Sequence, residues 1–407
     1  MAIGNFPVWP FPANWSEEVR ETLEWLTDVI QSPTGAEQRR ALRKYPRRMI
    51  EFNSVFRGPA RALFDNLMMQ HGGRDWYLPL WIEAHVTSAI AIAGGDLIPC
   101  TSAIDGEFFV GDVIFINAGD PFKFELAEIE AIASNGIQTV GALASSWPPG
   151  TMIYPMRKAR FTDQPAPTRN SDNHQGVQVR FMVSQNNNQI ADPETDLLVE
   201  TYRGNAVLSA PPNERESLEY AYDRMLEETD NQTGMPYRRD TANLAFTTQG
   251  HKWVLKGRDQ NKAFRAMVYY LKGRAIPIWI PTFFQDIEPI ENTPAGETYI
   301  YFKNIGFSAS GGMTAARQDI CIEMIDGTRL FRRILSSTVL PNGNEAIGLD
   351  AAFPAGLNIA SVLRISFMAL FRLDQDQIEI VHHTDNAGIS EVSTTFRSAP
   401  ALRQEVT

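Results

Sequence analysis

The chain has 407 residues, and its 48 acidic and 37 basic side chains give a net charge of -11 at neutral pH. Because a surface that binds nucleic acid carries a basic surplus, this balance argues against tight DNA or RNA binding. Hydrophobic residues make up 43% of the chain, enough for ordinary globular cores. The two cysteines, Cys100 and Cys321, form no metal-spaced motif or disulfide framework, so we expect reduced packing residues.

The N-terminal residues lack the basic and apolar segments of a signal peptide. The apolar stretch Ser361–Phe371 contains Arg364 and is shorter than the roughly 18 residues that a membrane span requires. We therefore expect synthesis in the cytoplasm and no membrane insertion.

The first predicted elements form a mixed α/β part over residues of about 15–93. A strand at Phe52–Phe56 precedes a stretch in which Leu63, Phe64 and Leu67 share one helical face. This spacing predicts an amphipathic helix over Pro59–His71, ending near Gly72. A second strand then leads into the Pro-Leu-Trp-Ile sequence that begins at Pro79.

A β-rich part follows over about 94–203, with short β-branched or aromatic segments such as Asp112–Asn117 and Met152–Met156. The dipeptide at Asn135 and Gly136 predicts a turn between strands. Two polar segments, 162–176 and 184–196, are expected to be exposed loops. The proline-containing stretch 204–216 is expected to be a linker.

Several short, unusual sequence motifs recur in the same order about 200 positions later. The matches are Thr34-Gly35…Arg39-Arg40 with Thr233-Gly234…Arg238-Arg239, the helix Pro59–His71 with Asp259–Lys272, Pro79–Ile82 with Pro277–Ile280, Trp147–Ile153 with Phe353–Ile359, and Val179–Met182 with Ile365–Met368. Internal duplication accounts for this order. The alternative is two unrelated domains that share proline and tryptophan at turns.

The predicted fold is α+β and β-rich, with two tandem copies of one unit. Each unit has a mixed α/β part with one amphipathic helix and a small β-sandwich or barrel. Copy 1 is assigned to 1–203, the linker to 204–216, copy 2 to 217–398 (α/β part about 217–297, β-rich part about 298–398), and a C-terminal tail to 399–407.

No phosphate-binding glycine loop, dinucleotide fingerprint or HExxH zinc motif is present. The sequence Gly306–Ser310 lacks the closing glycine of a nucleophile elbow, which favours a loop. His382 and His383 should point to opposite sides of a strand, which favours a solvent-facing strand end. The acids at Asp374, Asp376 and Glu379 lack the glycine and distal glutamate of a calcium loop, which favours a solvated edge. We predict no catalytic residue, metal site or cofactor.

Two groups of residues stand out for packing and for charge. The expected core anchors, with base or sugar stacking as the alternative for the tryptophans, are Phe64, Pro79, Trp81, Trp147, Phe264, Pro277, Trp279 and Phe353. The candidate interface charges, with ordinary surface charge as the alternative, are Arg39, Arg40, Arg47, Arg48, Arg238 and Arg239.

The segment from Trp25–Val29 through 35–40 to Pro46–Arg48 resembles the N-terminal signature of tail proteins from long-tailed bacteriophages. The strand and helix around Phe64, the Pro-Leu-Trp sequence and the closing stretch 372–380 extend this similarity. The nearest family is the distal tail or tail-tip baseplate protein of siphovirus-like phages, also found in gene transfer agents. The resemblance implies a structural virion protein.

In that family, a ring connects the tail tube to the tip and surrounds the DNA path. The implied partners are the tail tube, the tape-measure protein and other baseplate or hub proteins, and an acidic lumen would let DNA pass. Tail tubes are typically sixfold and hubs often threefold. A doubled unit lets three chains present six similar units, so we expect a trimer in preference to a hexamer. The alternatives are a receptor- or carbohydrate-binding module of the virion and, third, a polysaccharide hydrolase.

Overall fold

A computed structural model describes residues 6–184, 200–213, 215, 218–310, 312, 314 and 316–399. The fold is β-rich, with two α-helices among the described residues and one large sheet in which every paired ladder is antiparallel. The expected β-rich class is therefore confirmed. The predicted separate sandwich or barrel in each unit is not, because the β-rich strands are continuous with the same sheet.

Residues 6–184, here called the first half, contain helix α1 (Pro59–His71) and thirteen strands. The strands are β1 (Val19–Glu24), β2 (Thr27–Gln31), β3 (Glu37–Ala41), β4 (Arg47–Arg57), β5 (Trp76–Pro79), β6 (His85–Val86), β7 (Leu97–Pro99), β8 (Val113–Asn117), β9 (Phe124–Ala133), β10 (Gly136–Thr139), β11 (Met152–Phe161), β12 (Thr168–Arg169) and β13 (His174–Val183).

The described residues from 200 to 399, the second half, contain helix α2 (Gly257–Leu271) and twelve strands. The strands are β14 (Thr201–Tyr202), β15 (Asn205–Ala206), β16 (Tyr220–Thr229), β17 (Tyr237–Leu255), β18 (Ile278–Pro281), β19 (Tyr299–Phe302), β20 (Asp319–Met324), β21 (Arg329–Val339), β22 (Glu345–Leu349), β23 (Val362–Leu373), β24 (Gln377–His382) and β25 (Ser390–Ser398).

Eight strands form a central ladder in the order β12-β13-β4-β1-β24-β25-β17-β16. Burial alternates along β4, β13, β24 and β25, as it does in a sheet that packs one face on a core and leaves the other in water. The covered face supports two cores. Trp9, Phe52 and Phe64 belong to the first, and Trp253 and Phe264 to the second.

A branch of shorter strands leaves the central ladder in each half. In the first half, β11 pairs with β13, β5 and β8, and the branch continues from β8 through β9 and β10 to β7. In the second half, β23 pairs with β25, β18 and β20, and the branch continues from β20 through β21 and β22 to β19. Each branch encloses a small core, one around Ile114 and Trp147 and the other around Ile320 and Phe353.

The two helices lie where the sequence predicts them. Helix α1 has the predicted bounds, because Gly58 supplies a positive φ of 54° before Pro59, whose fixed φ suits the first turn. Helix α2 begins two residues before the predicted start and ends at Leu271. Lys272 adopts the left-handed conformation that ends the helix. The predicted turn at Asn135 and Gly136 is confirmed between β9 and β10.

Two predicted sequence matches are out of register with the hydrogen bonding. Pro79 is the last residue of β5 and pairs with Met156, whereas Pro281 is the last residue of β18 and pairs with Met368. Pro277 lies before that strand. The segments Val179–Met182 and Ile365–Met368 lie in strands with different places in the sheet. The former segment lies in β13 beside β4, and the strand beside β17 is β25.

The predicted linker 204–216 is not a free connection over its described residues. Val207 and Leu208 are buried, and Leu208 donates a backbone hydrogen bond to the carbonyl of Trp279 at 2.8 Å. Apolar side chains at these positions outweigh the turn signal of the prolines that follow. The predicted loop 184–196, apart from Ser184, and the predicted tail beyond Ala399 lie outside the described residues. No described helix has the length and apolarity to cross a membrane.

Candidate functional site

The two halves meet where β1 pairs with β24, and buried charges lie beneath this junction. Val19 pairs with His382, and Glu21 with Ile380. Since successive side chains point to opposite faces, Val19, Glu21 and Leu23 all point into the protein. A carboxylate therefore stands in a row of apolar residues, where it needs positive partners.

The partners of Glu21 come from a neighbouring strand and from α2 of the other half. Arg48 Nε on β4 lies 2.7 Å from Glu21 Oε1. The Nη2–H group of Arg265 donates a hydrogen bond to Glu21 Oε2 at 2.9 Å. Helix α2 places Arg265 next to Phe264, so the turn that inserts an aromatic ring into the second core also directs a guanidinium at the first half.

Two further carboxylates complete this group. Arg265 lies 2.6 Å from Glu83 and 2.6 Å from Glu107, and Arg48 also donates to Glu107 at 2.6 Å. Arg258 lies 3.6 Å from Glu83 and donates to the carbonyls of residues that flank it, Ile82 and Ala84. We call Glu21, Arg48, Glu83, Glu107, Arg258 and Arg265 the charge network.

Burial and opposite charges compete in the network. Burial by itself would raise the pKa of Glu21, but Arg265 and Arg48 outweigh it and hold that pKa well below its usual value. Glu83 is similar, because Arg265 outweighs the effect of burial and lowers the pKa of this carboxyl group. Burial would lower the pKa of Arg265, yet the surrounding carboxylates raise it. Glu21 and Glu83 are therefore ionised beside Arg265, and Arg48 and Arg258 add positive charge to the group.

His382 extends the network on β24. Its Nε2 lies 3.0 Å from Glu21, and burial lowers the pKa of the imidazole. The predicted solvent-facing strand end is wrong for this residue, which is 1% exposed. His383 lies on the outside, 3.7 Å from Glu391, so the two rings diverge as predicted.

The arrangement suits a structural role. Salt bridges connect α2 to β1, to Glu107 and to the turn at Trp81–Glu83, which belong to the other half. Removing one partner would leave a buried charge uncompensated, so the network specifies how the halves meet. Within the described ranges, no group of three or more His, Cys, Asp or Glu side chains is arranged to hold a metal ion.

Only some of the predicted interface arginines are exposed. Arg48 is buried in the network, and Arg39 is mostly covered and contacts Glu37 at 2.5 Å. Arg238 lies on the surface and contacts Glu228 at 2.7 Å. Three more are exposed, namely Arg40, Arg47 and Arg239.

The predicted anchors are mainly core residues. Those that are buried are Phe64, Pro79, Trp81, Trp147, Phe264, Trp279 and Phe353. Pro277 is half-buried before β18. Trp279 donates its indole N–H to the carbonyl of Tyr202 at 2.8 Å, which satisfies the polar atom of a buried ring. Core packing thus accounts for these tryptophans.

The acids near the end of β23 are not simply a solvated edge. Asp376 accepts hydrogen bonds from the N–H and the hydroxyl of Thr27, at 2.8 and 2.7 Å, and from the N–H of Arg274 at 3.0 Å. It connects the start of β2 to the segment after α2. This second polar contact between the halves was absent from the sequence predictions.

A cysteine and a histidine approach each other in the first branch, which sequence spacing did not indicate. His85 Nδ1 lies 2.8 Å from Ser102 Oγ, and Cys100 Sγ lies 3.6 Å from the same oxygen. Hydrogen bonding outweighs burial and lowers the pKa of the Cys100 thiol. Cys100 is 0% exposed and His85 is 1% exposed, whereas Ser102 lies at the surface. Both cysteines are free and buried, as predicted.

The sequence matches no protein-family model, and no curated protein matches it.

Proposed function

We propose that this chain is a structural virion protein of a phage tail tip that forms a ring between the tail tube and the tip. The observation that carries the proposal is the repeated strand order. The first half pairs its strands in the order β4, β13, β11 and β5, and the second half pairs its own in the matching order β17, β25, β23 and β18. In each half, one helix connects the first and the last of these four strands. A chain built from two similar units can close a ring with half as many subunits as units.

Internal duplication is part of this proposal, and pairs of equivalent contacts support it. Val8 forms an isolated parallel bridge with Tyr77, as Val207 does with Trp279. The N–H of Asn14 donates to the carbonyl of Asn53, and the N–H of Asn213, 199 positions on, donates to that of Lys252. The second proposed unit accordingly begins before the predicted boundary at 217, because it includes Val207. The first includes Val8, which lies within the predicted copy 1.

The hairpins with the paired arginines fit the same correspondence. β2 pairs with β3, placing Asp28 opposite Arg40, and the outer part of β16 pairs with β17, placing Glu227 opposite Arg239. The tips of both hairpins contain Thr-Gly. These projections carry charges of both signs, which suits contacts with neighbouring subunits.

The exposed face of the central ladder is of mixed charge. Arg20 lies 3.4 Å from Glu379, and Arg180 lies 3.6 Å from Glu51. The expected acidic lumen would therefore not arise from this face alone. Alternating charges still disfavour tight DNA binding, because each cation has an acidic neighbour that repels phosphate.

The proposal is tested by locating the protein in particles. Antibodies raised against the purified chain should label one end of the tail in immunogold electron micrographs. Absence of the chain from purified particles, by labelling and by mass spectrometry, would contradict the proposal.

A receptor- or carbohydrate-binding role is the second candidate. Tyr220 and Tyr222 lie together on β16, with ring centroids 5.2 Å apart, beside a cavity of about 210 Å³. Exposed aromatic rings of this kind can stack on sugars. Binding of the purified chain to a glycan array, lost in Tyr222→Ala, would favour this function over the ring.

A further inference from the structure

The outer edge of β16 lacks a strand partner among the described residues, although its backbone is arranged to accept one. The carbonyl of Glu219 accepts from the N–H of Gly250 on the β17 side, at 2.9 Å. In an antiparallel pair, successive residues direct their N–H and C=O groups to opposite sides. The amide groups of Tyr220 and Tyr222 are therefore directed away from β17.

The first half shows what such an edge can bind. β1 holds the same position beside β4 that β16 holds beside β17, so Glu21, opposite Ile50, corresponds to Tyr220, opposite Gln249. On its other side, β1 pairs with β24 of the second half. The β1–β24 pairing within the chain is thus an example of the strand pairing that the outer edge of β16 lacks among the described residues.

Among the described residues, the strand that we align with β24 also has one side without a strand partner. β24 pairs with β25 through Val381 and Glu391, and β12 pairs with β13 through Thr168 and Gly176. If Thr168 is aligned with Val381, segment 164–169 aligns with residues 377–382 of β24. It lies at the opposite end of the central ladder from β16.

We infer that β16 of one copy pairs with segment 164–169 of a second copy of this chain, repeating the β1–β24 junction between chains. The inference rests on the proposed function, because it names the contact that closes the proposed ring. The contact is head-to-tail, since each chain offers β16 at one end and segment 164–169 at the other. Repetition of such a contact yields a closed ring when the rotation allows it.

The β1–β24 register fixes the pairing between chains. Thr22 pairs with Glu379, and Glu21 pairs with Ile380. The equivalent pairs are Ala221 with Ala166 and Tyr220 with Pro167. We call this predicted pairing the seam.

Two prolines make the seam weaker than the junction. Pro165 and Pro167 correspond to Ile378 and Ile380, whose N–H groups face β1 by the same alternation. Proline has no N–H to donate, so the seam loses donors at these two positions while their carbonyls remain available. Proline on an edge also prevents uncontrolled pairing of strands. The seam should therefore form reversibly and depend on the surrounding contacts.

The helices provide such a contact. In the junction, α2 covers the buried side of β1 and directs Arg265 at Glu21. Among the described residues, helix α1 covers no strand in the way that α2 covers β1, and its Met69 is 90% exposed. The region that α1 of a second copy would cover is the cavity beside β16, which is lined by Tyr220, Tyr222 and Arg317. Met69 would gain apolar burial there.

Cysteine cross-linking tests the seam. Ala221 and Ala166 are both exposed, and their predicted pair is of the non-hydrogen-bonded type, with Cα atoms about 4.5 Å apart, close enough for a disulfide. The variant is Ala221→Cys with Ala166→Cys in the full chain. The control is Ala221→Cys with Ala93→Cys, because Ala93 is equally exposed but lies in the branch of the first half. The native cysteines are buried and remain in place.

Mild oxidation should give covalent dimers and trimers for the seam variant on a non-reducing gel, and monomer for the control. Native mass spectrometry of the unmodified chain separates the remaining outcomes. Oligomers of the unmodified chain, combined with no cross-linking of the seam variant, would overturn the seam but leave the ring intact. A chain that stays monomeric at all concentrations, with no cross-link, would overturn both the seam and the ring. Equal cross-linking in the control would also overturn the seam, because it would indicate random collision.

Discussion

Substitution of Arg265 by methionine should destabilise the whole chain, because this side chain neutralises carboxylates from the other half. It lies within 2.6–2.9 Å of Glu21, Glu83 and Glu107, and its side chain is 6% exposed. Methionine preserves much of the apolar volume but leaves buried charge without compensation. Removal of one partner from a buried pair costs about 3–5 kcal/mol. We expect a loss in that range at pH 7.

The loss should depend on pH in a defined direction. In the wild type, the lowered pKa values of Glu21 and Glu83 stabilise the fold above their unfolded pKa of about 4.3, and this contribution disappears as the pH falls through their folded pKa values. Without Arg265, burial dominates and raises these pKa values. The carboxyl groups then favour the protonated state, so the deficit of the variant should shrink as the pH falls from 7 toward 4.

Urea denaturation followed by tryptophan fluorescence at pH 7 and pH 4.5 measures both effects. The matched control is Arg20→Met, which removes an arginine that is 51% exposed and 3.4 Å from Glu379, and should cost under about 1 kcal/mol. Adding Glu21→Gln and Glu83→Gln to Arg265→Met should recover part of the loss. A deficit for Arg265→Met no larger than that of the control, or one that does not depend on pH, would show that Arg265 does not stabilise the fold by neutralising these buried carboxylates.

Two other substitutions test features of the second half and of the first branch. Burial lowers the pKa of His251 to about 4, so the wild type should lose stability as the pH falls from about 6.5 toward 4, by about 3 kcal/mol in total. His251→Phe, which places at this site the residue found at the equivalent Phe52, should reduce that loss in urea titrations at pH 7 and 5; an unchanged pH dependence would argue against this assignment. Gly136→Ala should cost about 3 kcal/mol in thermal or urea unfolding, because φ is +152° and a Cβ would lie 2.3 Å from the carbonyl oxygen of Ile98. Gly141→Ala, where a Cβ meets nothing within 4 Å, should be nearly neutral, and equal effects would contradict the steric explanation.

Local features of the fold could be predicted from the sequence because their causes lie within a few residues. The bounds of α1 follow from Gly58, Pro59 and the apolar spacing around Phe64, all of which act within the helix. The turn at Gly136 follows from a dipeptide that tolerates positive φ.

The junction could not be predicted because it depends on contacts between distant parts of the chain. Glu21 and Arg265 are 244 positions apart, and neither has a local pattern that identifies the other. A buried carboxylate on β1 looks like a surface residue in the sequence. The placement of the prolines depends on the same kind of contact, since Trp279 has one proline two positions before it and another two positions after it. Only the hydrogen bonding of β18 with β23 shows that Pro281 lies in the strand and Pro277 before it.

We propose that three copies of this chain form a ring in the tail tip, and cryo-electron microscopy of purified particles can count them. The reconstruction should contain three copies of the chain around the tail axis, presenting six similar units joined alternately by the β1–β24 junction and the seam. A ring of six chains, or a tail tip without this chain, would rule out the trimeric ring.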